Sequence, residues 1–146
     1  MMIGNVPPRR KNSAGNPVTM NINHVAIWTQ NIDAVKNFFT RYFHCVATKK
    51  YRNRSRRFES YFLSFESGAQ LELMHVPELK NNARGENSTG LAHIAISVGS
   101  RNKVIELTEQ FRNDGYTVLS PPRTTGDGFF ESLILDPEGN EIELTV

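Results

Sequence analysis

One cysteine, one tryptophan and four histidines are spread over 146 residues. The lone Cys45 has no partner for an intrachain disulfide and disfavours a cysteine-built metal cluster. It reads as a small hydrophobe of the interior. No apolar run approaches the ~18 residues of a membrane helix, and no apolar signal core stands near the N-terminus. The expectation is a cytoplasmic protein with no membrane partner. Charge of one sign is also scarce, for 17 Lys and Arg against 15 Asp and Glu leave a formal net charge of +2. The single basic run, Lys49-Lys50-Tyr51-Arg52-Asn53-Arg54-Ser55-Arg56-Arg57, is short, so nucleic acid is not the expected partner. By length this is one domain, able to bury roughly two-thirds of its unfolded surface.

What the chain does contain, it contains twice. His24-Val25-Ala26-Ile27-Trp28 is answered by His93-Ile94-Ala95-Ile96-Ser97. Gly68-Ala69-Gln70-Leu71-Glu72-Leu73 is answered by Gly139-Asn140-Glu141-Ile142-Glu143-Leu144. From histidine to glutamate the separation is 48 residues in one copy and 50 in the other. Internal repetition at this scale defines the fold before any local signal does.

Residues 1–20 are rich in Asn, Pro, Gly and Arg without periodicity and read as a flexible tail. Residues 21–146 read as a single domain of two modules, 21–76 and 91–146, joined by a polar linker, 77–90. In the first, residues 21–29 alternate as a strand. Asn31 caps a helix to about Phe43, with Ile32, Val35, Phe38, Phe39 and Tyr42 on one stripe. Strands are expected over 46–52, 57–65 and 69–76, the last two joined at Ser67-Gly68. The second module repeats the order. A strand covers 91–98. Ser100 then caps a helix bearing Val104, Ile105, Leu107, Thr108 and Phe111, which Gly115 ends. Strands follow over 116–119, 129–135 and 141–146, with Asp136-Pro137-Glu138-Gly139 as a turn. The fold class is therefore α+β, two βαβββ modules whose sheets bury one face.

Side chains alternate faces along a strand. His24 shares a face with Ala26 and Trp28, Glu72 with Gln70 and Met74, His93 with Ala95 and Ser97, Glu143 with Glu141 and Thr145. In each strand the purely apolar face is the opposite one. Two imidazoles and two carboxylates are costly to bury unless a cation offsets them. His24, Glu72, His93 and Glu143 are accordingly the expected ligands of one divalent metal ion, Zn, Ni, Co, Mn or Fe. Arg54, Arg56 and Arg57 are candidates to meet an anionic small-molecule substrate. Glu59 and Glu131, taken as matching positions, are candidates to flank the cavity. His44 and His75 lie off the repeat and read as surface residues.

INHVAIWTQNI, GAQLELMHV, GLAHIAISV and LDPEGNEIELTV together resemble the vicinal oxygen chelate superfamily, which includes glyoxalase I, over about residues 21–146. The resemblance implies a cupped mixed sheet, often completed in a homodimer. It implies the same four ligands, and a metal-dependent lyase or isomerase that moves a proton beside a carbonyl. Glu143 is then the first candidate for the base and Glu72 the second. Where bacterial-type relatives carry an Arg and an Asn for glutathione, this chain has Trp28 and Val76. The superfamily also implies two alternatives, a binding protein of the bleomycin-resistance type and a metal-dependent dioxygenase.

Overall fold

The computed structural model describes residues 21–80 and 89–146, so the expected tail and most of the expected linker lie outside the described residues. The first module runs β1 (His24–Trp28), α1 (Ile32–Phe43), β2 (Val46–Ala47), β3 (Tyr51–Asn53), β4 (Phe58–Ser64) and β5 (Gln70–His75). The second runs β6 (Ile94–Ser97), α2 (Arg101–Asn113), β7 (Val118–Thr124), β8 (Phe130–Leu135) and β9 (Glu141–Thr145). The chain is thus α+β, with one helix and one mixed sheet per module. Strand order is β1-β5-β4-β2 with β3 also on β4, and β6-β9-β8-β7 in the second sheet. In each, the first strand lies parallel to the last, and the last is antiparallel to its predecessor. No helix of the described residues is long and apolar enough to cross a membrane.

Both helices start where a side chain caps them. Asn31 Oδ1 accepts from Ala34 N at 3.0 Å, and Ser100 Oγ accepts from Lys103 N at 3.1 Å. The stripe Ile32, Val35, Phe38, Phe39 and Tyr42 is buried throughout, as its spacing requires. In α2, Val104, Leu107, Thr108 and Phe111 are buried, but Ile105 is exposed. Four residues do not make a stripe five wide, and Ile105 falls just past its rim.

The strands differ most from the expected ones in two places. The stretch expected as one strand over 46–52 is broken into β2 and β3. The strand expected to stop at Leu119 continues to Thr124. Pro121 and Pro122 would end a central strand, but β7 is an edge strand whose pairing with β8 already slips in register, so missing donors cost little there.

One apolar cluster spans both modules. It takes the helix stripes, Tyr61, Leu63, Leu71 and Leu73 from one sheet, and Ile134, Ile142 and Leu144 from the other. The helices meet through rings: Phe38 lies 5.5 Å from Phe111 and Tyr42 4.4 Å from Phe111, centroid to centroid. Tyr116 closes the group, 5.2 Å from Phe38 and 5.5 Å from Tyr42. Tyr42 Oη donates to Asp114 Oδ2 at 2.5 Å, so the hydroxyl of this seam is satisfied across the modules. The apolar stripes of the helices therefore face the interior, and each sheet's apolar face is turned toward them. Cys45 is buried, as expected, and burial pushes its thiol up to about 11.

A second bridge comes from the Asp136–Gly139 turn. Asp136, 4% exposed, accepts from Glu138 N, Asn140 N and Asn140 Nδ2 at 2.8–2.9 Å. Gly139 takes φ +81°, open to glycine at no steric cost. So held, Glu138 reaches the other module. Its carboxylate accepts from Gln30 N at 2.9 Å and Asn31 N at 2.6 Å, at the N-terminus of α1. A negative charge there also complements the helix dipole. Glu138→Ala should lower unfolding free energy by about 1–3 kcal/mol, with Glu138→Gln intermediate. Urea unfolding checks this, the midpoint falling while the slope stays unchanged.

Candidate metal centre

The parallel register places each histidine beside its glutamate. Ala26 pairs with Glu72 and Ala95 with Glu143, so each histidine stands two residues before its glutamate's partner, on the same face. His24 Nε2 lies 3.6 Å from Glu72 Oε2, and His93 Nε2 lies 3.1 Å from Glu143 Oε2. Both imidazole side chains are 40% exposed and both carboxylates 15%. Ligand bonds of about 2.0–2.2 Å put neighbouring donor atoms roughly 3.0–3.5 Å apart. The His93–Glu143 pair thus has the spacing of two adjacent ligands on one cation, and the His24–Glu72 pair stands just beyond it. His24 Nδ1 is 2.9 Å from Asn23 Oδ1; donating there, the ring keeps the Nε2 lone pair on the glutamate side. The Phe62 ring stands edge-on to His24 at 5.4 Å.

The four side chains form two pairs rather than one cluster. Among the described residues no three His, Cys, Asp or Glu side chains are grouped so as to hold a metal ion. The reason is the helix seam. Leu71, Leu73, Ile142 and Leu144 point in toward the helices, so Glu72 and Glu143 on the alternate positions point out, each from its own sheet. A single chain presents two separate His–Glu pairs, one on the outward face of each sheet.

Glu143 has company. Burial first, then the negative charge of Glu131 and a hydrogen bond shared with it, raise its carboxyl above 4.5, against the lowering pull of His93. Glu131 therefore does stand at the site. Glu59 does not, which corrects the expectation that the two match. Phe62 faces Glu72 and Leu133 faces Glu143, so the counterpart of Glu131, two residues before Leu133, is Ser60. Counting from the wrong residue by one moves a side chain to the other face. Glu59 lies on the helix side, accepting from Arg52 Nε at 2.8 Å and Lys50 Nζ at 3.4 Å. His75 shares that side; it is half-buried rather than a surface residue, its Nδ1 2.9 Å from the Thr29 carbonyl. His44 is exposed as expected, with φ +53° at the end of α1.

Trp28 is 52% exposed on the His24 face, with Phe58 edge-on at 6.4 Å. Arg54, Arg56 and Arg57 sit on the β3–β4 turn. Arg57 is engaged by Glu78 at 2.9 Å, whereas Arg56 lines a cavity with Tyr51, Asn53, Phe58 and Val76. Tyr51 and Phe58 went unnoticed in the sequence, although the period-2 rule puts Phe58, Ser60 and Phe62 on the Glu72 face.

Known proteins agree with this geometry at the level of fold. The family model described as Glyoxalase/Bleomycin resistance protein/Dioxygenase superfamily matches residues 21–144. Glyoxalase I from Zea mays superposes with a TM-score of 0.71 at 21% identity, over 86% of this chain and 44% of that one. This chain thus spans less than half of the maize protein. A glyoxalase family protein from Enterococcus faecalis gives 0.71 at 23% identity, over 86% and 97%. The trypanothione-dependent glyoxalase I of Leishmania major gives 0.69 at 23% identity, over 87% and 86%. No curated protein matches the sequence.

The raised carboxyl of Glu143 has a sign. Metal-free, the folded chain favours its protonated form, so its contribution is full below the unfolded value of about 4.3 and is lost as pH rises through the folded one. Glu143→Gln should therefore stabilise the metal-free protein at neutral pH and lose that advantage in acid. Denaturation midpoints of both proteins across pH, with chelator present, give the answer; a constant difference would contradict it.

Proposed function

The chain belongs to the Glyoxalase/Bleomycin resistance protein/Dioxygenase superfamily, and from that premise we propose that it is a metal-dependent lyase or isomerase of the glyoxalase type. The observation that carries the reading is the matched pair of pairs: His24–Glu72 at 3.6 Å and His93–Glu143 at 3.1 Å, equally exposed on outward faces. Imidazole and carboxylate suit Zn, Ni, Co, Mn or Fe(II). Since one chain carries two half-sets, the working unit is a homodimer in which the first module of one copy opposes the second module of the other. Two equivalent sites follow from the two-fold symmetry. Exposed Ile22, Leu91 and Phe129 supply apolar surface for such an interface.

His24, Glu72, His93 and Glu143 would hold a divalent cation, which would supply Lewis acidity toward a substrate carbonyl oxygen. The protein does the proton work. Glu143 takes a proton from the carbon beside the carbonyl and returns it to the neighbouring atom. Glu72, contributed by the other copy, faces the substrate from the opposite side and can serve the reverse hand. Fixed position does much of the catalysis, because an aligned carboxylate replaces a collision with a base. Glu131 sits where it can hold or relay the proton of Glu143.

Two measurements test this. Purified protein should carry about one divalent ion per chain, and Glu143→Gln should lower turnover by about a hundredfold or more. His24→Ala and His93→Ala should each be inactive alone. Refolded together, they should regain activity, because one of the two sites in each mixed dimer then has both pairs intact. Failure to complement would place the whole site within one chain. Absence of metal would leave a cup that only holds a ligand.

A further inference from the structure

Resting on the reading of this face as an active site, we infer that its substrate is an aromatic carbonyl compound carrying an anionic group. The ring is seated on the shelf of Trp28, Tyr51 and Phe58, and the anion is met by Arg56. The four residues lie on one sheet face or at its rim. Trp28 pairs with Met74, two residues beyond Glu72 along β5, and Tyr51 pairs with Ser60 on the strand that carries Phe58. At about 3.3 Å per residue, the shelf begins roughly 7 Å from the ligand pair. That is the span between a reacting carbonyl and the centre or far edge of an attached ring.

Two large rings are left open here, beside a third that is half-buried. Trp28 is 52% exposed and Tyr51 56%, and Phe58 stands edge-on between them at 6.4 Å and 6.2 Å. Rings held edge-on leave an opening for a further ring, the arrangement aromatic groups favour. The adjoining cavity holds about 420 Å³, the size of a small-molecule site, and is lined by Tyr51, Asn53, Arg56, Phe58 and Val76.

Lys49, Arg54 and Arg56 carry no ion pair among the described residues, and of these Arg56 is the one that lines the cavity. Lys50 is paired with Asp33, Arg52 with Glu59, and Arg57 with Glu78. Among the described residues, no carboxylate lies within ion-pair reach of Arg56. Its backbone is fixed, since Asn53 Oδ1 accepts from Arg56 N at 3.1 Å and from Ser55 Oγ at 2.8 Å. A guanidinium so placed takes a carboxylate or phosphate oxygen in two-point contact. The second module has no such shelf, for Ser97 stands where Trp28 does.

Trp28 is the sole tryptophan, so its emission reports the shelf directly. The chelator-treated full chain, and His24→Ala, which cannot turn over, are titrated with 3-phenylpropionate, 3-phenylpropionamide and 3-cyclohexylpropionate. The aromatic acid is expected to give a saturable blue shift with a Kd at least tenfold below that of the other two. Arg56→Ala should raise its Kd to that of the amide and leave the amide unchanged. Arg56→Lys should recover part of the difference, and Arg54→Ala should change nothing. Equal Kd values for acid and amide, equal values for phenyl and cyclohexyl acids, or no saturable shift would each overturn the inference. Because the titration needs neither metal nor turnover, a failed shelf beside an active metalloenzyme rejects only the substrate class. A working shelf without metal or turnover rejects only the enzymatic reading.

Discussion

A seam of aromatic rings between two helices governs everything else in this protein. Phe38 and Tyr42 of α1 pack on Phe111 and Tyr116 from the second module, and the apolar faces of both sheets close over them. Burial of rings is the largest single source of stabilisation a domain of this size can gather. Spending it between the helices commits each sheet to turn its other face outward. The histidines and glutamates ride on that other face. The seam thus decides at once why the core is stable and why the donors of one chain stand apart in two pairs.

Around the seam, polar contacts fix how the modules sit. Asp136 organises its turn so that Glu138 can accept two backbone N–H groups at the start of α1, and Tyr42 is satisfied by Asp114 at the other end. These contacts tie the strand that carries His24 to the hairpin that leads to Glu143. The turn that looks most like a family signature in the sequence is therefore also a bridge between halves. On the first sheet, Asp33 receives both Lys50 and the Tyr61 hydroxyl, which lowers its carboxyl pKa and holds the basic hairpin against α1. That pairing leaves Arg56 as the hairpin cation that lines the open face.

The two modules are copies in backbone but not in chemistry. The first surrounds its His–Glu pair with rings and a cation. The second surrounds its pair with Glu131 and, nearby, Asp127, whose charges add to the proton affinity of Glu143. Opposing the two kinds of face gives a cup with an aromatic, cationic wall and an acidic wall. In the proposed enzyme, binding and proton transfer then fall to different modules. Such a division is what a duplicated fold permits, since backbone placement is set by the shared core while exposed side chains vary freely.

Much of this was legible in the residues. The repeat, both helices with their caps, the buried stripe of α1 and the alternation that puts each histidine and glutamate on the less apolar face all follow from period and capping chemistry, which act within a few residues of chain. Errors arose where a distant contact overrode local pattern. Edge position let β7 run through Pro121 and Pro122, and Thr29 drew His75 inward. Glu59 and Glu131 looked equivalent until the strand pairing separated them, because a one-residue offset is invisible in a list of apolar residues yet reverses the face. By itself, then, the sequence determined two βαβββ modules and one histidine and one glutamate on a strand face of each. The tertiary structure alone decided that the helices meet, because ring-on-ring packing between segments some seventy residues apart leaves no local mark. With that decision came the outward faces, the split of four donors into two pairs, and the open shelf beside one of them.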